Sequence, residues 1–107
     1  LRSTGMPDGI YDLGGQKVRK EGKRCTLVEG GNLAGSVSNV FDCMKTAVQS
    51  MKIPFRSAIL ASTINPAKAL GVEKTVGSIS VGKKADYLLL DNELNLKAVY
   101  QSGKEIE

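Results

Sequence analysis

The sequence predicts an α+β fold in which a strand-forming part, a helix-forming part and a second strand-forming part follow one another. Glycine-rich, β-prone runs fill residues 1–37, apolar residues recur at helical spacing within residues 38–72, and β-prone runs return in residues 73–107. Because these parts occur in series and do not alternate, an independent parallel α/β domain is disfavoured. A chain of 107 residues provides one modest hydrophobic core.

The first part predicts a β-hairpin. Residues 16–20 and 23–28 are its strands, and Glu21-Gly22 separates them, with glycine at the second central position of a tight turn. The hairpin carries a cluster of basic residues, called the basic cluster below: Lys17, Arg19, Lys20, Lys23 and Arg24. Charged residues beside a turn usually face water, and Tyr11 is the only aromatic residue nearby, so the stacking platforms of single-strand binders are missing. We expect a solvated hairpin and no nucleic-acid partner.

The second part begins with an amphipathic helix over residues 40–51. Ser38 or Asn39 can cap its amino terminus, because both side chains accept hydrogen bonds from backbone N–H groups. The apolar positions recur on one face, which we expect to be buried: Val40, Met44, Ala47, Val48 and Met51. The helix is therefore predicted to contribute to a core.

Two shorter helical segments follow. Pro54 suits the first position of a helix that continues over residues 55–63. Asn65 as cap and Pro66 as first residue then start a short helical turn, which Gly71 can end in the left-handed conformation. Consecutive packed helices are the expectation.

The third part predicts an antiparallel sheet. The run Tyr87 to Leu90 has the composition of a buried strand, and residues 96–107 indicate a second hairpin that turns at Ser102-Gly103.

The residue inventory excludes most catalytic chemistry. The chain contains no histidine, which removes the commonest general base and the usual zinc-ligand sets. Cys25 and Cys43 lack metal-binding spacing and are predicted to be free thiols. The candidate acidic groups show no paired spacing: Asp8, Asp12, Asp42, Asp86 and Asp91. Asp86 is predicted to accept hydrogen bonds from nearby backbone donors, and Asp8 to act as a turn residue.

Other features limit the kinds of partner that the chain is expected to bind. The glycine pairs Gly14-Gly15 and Gly30-Gly31 lack the spacing of a phosphate-binding loop. No apolar run approaches the roughly 18 residues needed to cross a bilayer, so we expect no membrane contact. A net charge of +4 favours anionic partners in general without naming one.

Two stretches of the sequence resemble a known family. Residues 65–91, NPAKALGVEKTVGSISVGKKADYLLLD, resemble the carboxyl-terminal signature of the amidohydrolase superfamily, in which the last helix of a metal-dependent (β/α)₈ barrel leads into a small β-sandwich. Residues 5–36, GMPDGIYDLGGQKVRKEGKRCTLVEGGNLAGS, resemble the narrower N-acetylglucosamine-6-phosphate deacetylase family. The resemblance implies that residues 1–37 cover the substrate after barrel strand 8, residues 38–72 form the last barrel helices, and residues 73–107 supply sandwich strands.

The same resemblance implies a substrate-binding loop without catalytic groups. In the family, the loop that matches Leu33, Ala34 and Gly35 closes over the sugar and contacts it largely through main-chain groups. A divalent metal, zinc or similar, is held by residues on earlier barrel strands, and an aspartate ending the eighth strand serves as general acid/base. That aspartate would lie a few residues before Leu1, so we expect no catalytic or metal-binding residue here, no bound metal, and no activity of this chain alone.

The expected function is therefore the carboxyl-terminal part of a cytoplasmic, homo-oligomeric deacetylase that converts N-acetylglucosamine 6-phosphate to glucosamine 6-phosphate and acetate. One alternative is another metal-dependent amidohydrolase, dihydroorotase-like or deaminase-like, which would share residues 65–91. An alternative of a different class is a small β-rich module that binds polyanions through the basic cluster. Without barrel strands, the helices should expose apolar residues and self-associate or rearrange. The residues concerned are Val40, Met44, Val48 and Ile59.

Overall fold

The computed structural model describes residues 3–106 and confirms an α+β architecture with antiparallel sheets. The strands are β1 (Gly9–Leu13), β2 (Gln16–Glu21), β3 (Arg24–Leu27), β4 (Tyr87–Leu90), β5 (Leu96–Gln101) and β6 (Lys104–Ile106). The helices are α1 (Val40–Gln49), α2 (Phe55–Ser62) and α3 (Ile64–Leu70). The described chain divides into two compact units between Cys43 and Met44. None of the described helices is long and apolar enough to cross a membrane.

The first unit contains a three-stranded antiparallel sheet in the order β1-β2-β3. The predicted hairpin is β2-β3, but its turn differs: Glu21 pairs with Arg24, so Gly22 is the first central residue, with φ +59°. β1 was not predicted from the sequence. It joins β2 through Gly14-Gly15, whose φ values of +58° and +90° match a tight hairpin turn that glycine adopts without strain.

The core of the first unit lies on one face of this sheet. Val18, Cys25 and Val37 are buried together, because alternate strand residues point to the same face. Partly buried side chains complete this core: Tyr11, Leu13, Leu27 and Ala34. The buried Cys25 and the exposed Cys43 are both free thiols, as predicted.

Helix α1 is capped by Asn39, one of the two predicted capping residues. The Asn39 Oδ1 accepts a hydrogen bond of 2.8 Å from the Asp42 N–H, which has no partner within the helix. The predicted five-residue buried face is wrong at its ends, since Val40 and Met51 are each 65% exposed. Met44 at the centre is buried, contrary to the expectation that a chain without barrel strands would expose it. The surrounding residues therefore cover only the middle of the helix.

Ile59 of α2 and Val48 of α1, both expected to be exposed, are half-buried. Each retains partial contact with water.

Helices α2 and α3 follow each other directly and pack together. Pro54 is the residue before α2, one position earlier than predicted. Thr63 ends α2 and precedes α3, so the predicted cap, Asn65, lies inside the first turn of α3. Pro66 is tolerated in that turn because the first N–H groups of a helix have no intrahelical partner. Gly71 ends α3 in the left-handed conformation with φ +72°, as predicted.

The second unit ends in another three-stranded antiparallel sheet, in the order β4-β5-β6. The predicted turn at Ser102-Gly103 is confirmed, with φ values of +53° and +79°. The Asp86 Oδ1 accepts a 2.8 Å hydrogen bond from the Ser102 N–H, which confirms its predicted backbone-binding role. The burial predicted for β4 is wrong, because Leu88 and Leu89 are 45% and 47% exposed.

Candidate functional site

The segment after β3 returns alongside that strand. Gly30 and Gly31 turn the chain with φ values of +88° and +71°, a region that glycine enters freely. The Leu27 N–H then donates a 2.7 Å hydrogen bond to the Asn32 carbonyl, and the Ala34 N–H donates one of 2.9 Å to the Cys25 carbonyl. This part of the chain therefore extends the first sheet beyond β3.

These two hydrogen bonds flank an antiparallel bridge between Thr26 and Leu33. In such a pair the N–H and C=O groups of the two facing residues point away from each other. The main-chain N–H and C=O of Leu33 therefore point to the open side of the segment. The Leu33 side chain is 71% exposed.

The neighbouring residues differ in their surroundings. Ala34 is half-buried and packs against the core formed by Val18, Cys25 and Val37. Gly35 is exposed. Adjacent residues of the segment therefore have different roles, since Ala34 attaches it to the sheet and Leu33 leaves its polar backbone groups accessible.

A shallow cavity of about 480 Å³ lies elsewhere in the first unit, between the β1-β2 turn and the end of β3. Its lining includes Gly15, Lys17 and Glu29 but none of Leu33, Ala34 and Gly35. Within the described residues, the predicted substrate-binding segment is an exposed sheet edge and does not form a closed pocket.

Asp8 joins the residues before β1 to the β2-β3 turn. Its Oδ1 accepts a 2.9 Å hydrogen bond from the Gly22 N–H and lies 3.5 Å from the Lys20 Nζ. Lys20 is buried, in contrast to the prediction of a solvated basic cluster, because strand alternation places it on the same inward face as Val18. The sequence contained a signal for this burial, since Val18 and Lys20 are two positions apart and residues at that spacing share one face of a strand. The other members of the cluster are exposed.

The basic cluster is also partly neutralised. Arg19 lies 4.0 Å from the Glu21 carboxylate, and the buried Lys20 faces Asp8. Only three of the five basic residues remain exposed without a carboxylate among the ion pairs described: Lys17, Lys23 and Arg24.

The donor set of the described residues does not fit a divalent metal. Between residues 3 and 106, no three acidic or cysteine side chains lie close enough together to hold one. The two carboxylates with the most contacts are already engaged, Asp8 as described and Asp91 with the residues of its own turn.

Asp91 organises the turn between β4 and β5. Its Oδ1 accepts hydrogen bonds from the N–H groups of Glu93 and Asn95, and its Oδ2 accepts one of 3.0 Å from the Asn95 side chain. Lys97 Nζ lies 3.6 Å from the same carboxylate. The pKa of Asp91 is held below its ordinary value, chiefly by the Asn95 backbone N–H and then by the Asn95 side chain. Asp91 therefore has a structural role as an ionised carboxylate that holds this turn together. No catalytic role is needed to explain its contacts.

Comparison with known proteins places these elements in a family. The model of the amidohydrolase family matches residues 16–106. The N-acetylglucosamine-6-phosphate deacetylase of Caenorhabditis elegans is 32% identical over 106 residues, which are 99% of this chain and 25% of that protein. The chain thus spans about a quarter of the length of the curated relatives it matches first.

Solved structures give the same result. The crystal structure of N-acetylglucosamine-6-phosphate deacetylase from Pasteurella multocida superposes with a TM-score of 0.83 at 28% identity, over 97% of this chain and 27% of that one. A mutant of the Mycobacterium smegmatis enzyme, in complex with N-acetyl-D-glucosamine-6-phosphate, superposes with a TM-score of 0.75 at 29% identity, over 96% of this chain and 28% of that one. The chain belongs to the amidohydrolase family, and it is related to N-acetylglucosamine-6-phosphate deacetylases.

Proposed function

We propose that this chain is the substrate-covering and carboxyl-terminal part of an N-acetylglucosamine-6-phosphate deacetylase. The reaction would cleave the N-acetyl amide with water and yield glucosamine 6-phosphate and acetate. In the enzyme that catalyses this reaction, residues 33–35 would lie over the sugar and offer main-chain groups to the sugar. The observation that carries this proposal is the outward direction of the Leu33 N–H and C=O, while the next residue is anchored to the core.

The chemistry of a sugar ligand suits this arrangement. Hydroxyl groups both donate and accept hydrogen bonds, and a free N–H and C=O on one strand edge match them without a charged side chain. Ala34 holds the segment through its N–H bond to the Cys25 carbonyl, so these groups are positioned before a ligand arrives. A prepositioned edge loses less conformational entropy on binding than a free loop would.

The residues of this chain would bind the substrate and exclude water. They would not perform the hydrolysis themselves. The described carboxylates do not form a metal site. The proposal therefore predicts that the 107-residue chain releases no acetate by itself. Metal-dependent acetate release by the purified chain would contradict the proposal that these residues bind the substrate but do not hydrolyse it.

A chimera tests the proposal directly. In the Pasteurella multocida deacetylase, the segment that aligns with this chain is replaced by residues 1–107; this protein is called the chimera below. We expect the chimera to release acetate from N-acetylglucosamine 6-phosphate. A panel of other amide and amidine substrates, dihydroorotate included, distinguishes the deacetylase from other members of the family. A folded chimera that is inactive on the amino sugar but active on another substrate would overturn the assignment.

A further inference from the structure

The residues before β1 contact the first sheet at two buried side chains. The Ser3 side chain is itself fully buried, and its Oγ lies 3.9 Å from the Cys25 Sγ, where either atom can donate. The Asp8 Oδ1 lies 3.5 Å from the Nζ of Lys20, a residue that is 9% exposed. The chain before β1 is therefore attached both to β3 and to β2.

These two contacts meet at one cross-strand pair. Lys20 of β2 is the partner of Cys25 of β3 in the antiparallel register. Because paired residues point to the same side of a sheet, both side chains lie on the inward face that also carries Val18. Residues 3 and 8 therefore hold neighbouring positions of the same face.

Cys25 also holds residues 33–35, which are called the substrate segment below. The Cys25 carbonyl accepts the 2.9 Å hydrogen bond from the Ala34 N–H, and the next residue, Thr26, forms the bridge with Leu33. A continuous series of contacts thus runs from Asp8 through Lys20 and Cys25 to the substrate segment.

The burial of Lys20 is not explained by stability alone. Among the described residues of β1, β2 and β3, Lys20 is the one charged side chain that is buried. Replacing a buried ion pair by apolar side chains of similar volume is often neutral or stabilising, because burial removes water from the charges. A single ammonium on this face instead specifies where the Asp8 carboxylate docks.

We propose that Asp8 and Lys20 are positioning residues that fix the substrate segment relative to the chain before β1. The inference rests on the proposed function, under which the catalytic groups precede these residues. Asp8 and Lys20 would not touch the substrate, and they would act through Cys25 and Ala34. Their loss would leave the chemistry intact and weaken the hold of the substrate segment on the sugar.

Steady-state kinetics of the chimera test this role. Asp8→Ala removes the carboxylate, and Lys20→Met replaces the ammonium by an apolar group on a side chain of similar length. Because the substrate segment would hold the sugar and not the reacting amide, we expect each variant to raise KM about fivefold and to keep kcat within about twofold. An unchanged KM, or a lower kcat at an unchanged KM, would overturn the proposal.

Asp12 provides a matched control. Its Oδ1 accepts a 2.9 Å hydrogen bond from the Gly15 N–H, as the Asp8 Oδ1 does from the Gly22 N–H. Asp12 belongs to β1, which β2 and β3 separate from the substrate segment. Asp12→Ala should therefore lower the thermal stability of the chimera without raising KM. An equal rise of KM in Asp8→Ala and Asp12→Ala would show that any loosened turn has this effect, which refutes the positioning role.

The double variant Asp8→Ala/Lys20→Met tests whether the two residues act as one unit. If they act through their mutual contact, the second substitution adds little once the first has been made. We expect the KM of the double variant to stay within about twofold of either single variant. A KM raised about 25-fold, the product of two independent effects, would overturn the proposed pair.

Hydrogen exchange of the Ala34 N–H gives a readout that does not depend on activity. This N–H donates to the Cys25 carbonyl, so it exchanges only when the substrate segment separates from β3. In the 107-residue chain, we expect Asp8→Ala to accelerate this exchange at least about fivefold more than Asp12→Ala does. Equal rates in the two variants would overturn the link between Asp8 and the substrate segment.

Failure of this inference can be distinguished from failure of the proposed function. An active chimera in which neither KM nor the Ala34 exchange responds to Asp8→Ala refutes the positioning role and leaves the deacetylase assignment intact. A folded but inactive chimera, together with Ala34 exchange that responds to Asp8→Ala, refutes the substrate assignment and leaves only the mechanical link between residue 8 and residue 34.

Discussion

Gly77 lies directly against Ala67 of α3. A Cβ atom built on Gly77 would come within 2.8 Å of the Ala67 Cβ and within 3.1 Å of the Ile64 Cα. Gly77 also has a φ of +98°, a conformation that side chains other than that of glycine rarely adopt. The residue therefore lets the chain after α3 pass close to the helix.

Substitution of Gly77 by alanine tests this close approach. Gly77→Ala introduces both backbone strain and overlap with a buried helix residue, whereas Gly82→Ala introduces only the strain, since Gly82 has a φ of +92° and open space around it. We expect Gly77→Ala to lower the free energy of unfolding by about 2 kcal/mol more than Gly82→Ala, as is typical of overpacking. Urea denaturation of the chain measures both, and equal losses would contradict the proposed overlap.

Substitution of Asn39 by alanine should weaken α1. The change removes the side-chain acceptor of the Asp42 N–H, and loss of such a cap costs about 1 kcal/mol. Ser38→Ala is the matched control, because the Ser38 main-chain N–H, which donates to the Ser36 hydroxyl, is unchanged by the substitution. Helical circular dichroism and urea denaturation give the comparison. If Ser38→Ala destabilised the helix more than Asn39→Ala, the assignment of the cap would be wrong.

Acid should destabilise the turn that Asp91 organises. Its pKa is lowered in the folded chain from an ordinary value of 3.8, so the unfolded chain takes up the proton first as the pH falls. The contribution of the ionised carboxylate is therefore complete above the unfolded pKa and is lost as the pH falls through the lower, folded pKa. Unfolding free energies between about pH 6 and pH 2 measure this slope.

Two variants separate the causes of that slope. Asp91→Asn removes the titrating group, so its stability should fall less steeply with acid than that of the parent. Asn95→Ala retains the carboxylate and the backbone N–H but removes the side-chain donor, so an intermediate slope is expected. An Asp91→Asn slope identical to that of the parent would show that another group controls the acid response.

The elements that the sequence predicts correctly are those with local causes. Gly71 ends α3, Asn39 caps α1 and Ser102-Gly103 turns the last hairpin, each because a residue type has a particular backbone or hydrogen-bonding capacity. The five-residue strand β1 was missed, since it is recognised only through its pairing with β2. A local sequence pattern does not show which strand a segment will pair with.

Burial was harder to predict than secondary structure. Lys20 is buried beside Asp8, while Leu88 is half-exposed, and both depend on which surfaces are covered by other parts of the fold. For the candidate site, the resemblance indicated Leu33, Ala34 and Gly35. Their pairing with β3 could be recognised only in the structure, because the amino-acid sequence does not specify which N–H groups point toward β3.

The direction of the Leu33 N–H leads to a prediction about substrate binding. Proline at position 33 removes an N–H that points to the open side, so the sheet loses no hydrogen bond, whereas alanine retains the N–H and removes only an exposed side chain. In the chimera, we expect Leu33→Pro to lower kcat/KM by about tenfold, the effect of one lost hydrogen bond to a ligand. Leu33→Ala should stay within about threefold of the chimera, a change of less than 1 kcal/mol.

Ala34→Pro is the control for damage to the fold. It removes the N–H that donates to the Cys25 carbonyl, so it should lower the thermal stability of the chimera, whereas Leu33→Pro should not. Steady-state kinetics and thermal denaturation of the three variants therefore separate binding from structure. Equal losses of kcat/KM in Leu33→Ala and Leu33→Pro would mean that the side chain, and not the main chain, contacts the substrate. No loss in either variant would mean that the Leu33 edge does not touch it.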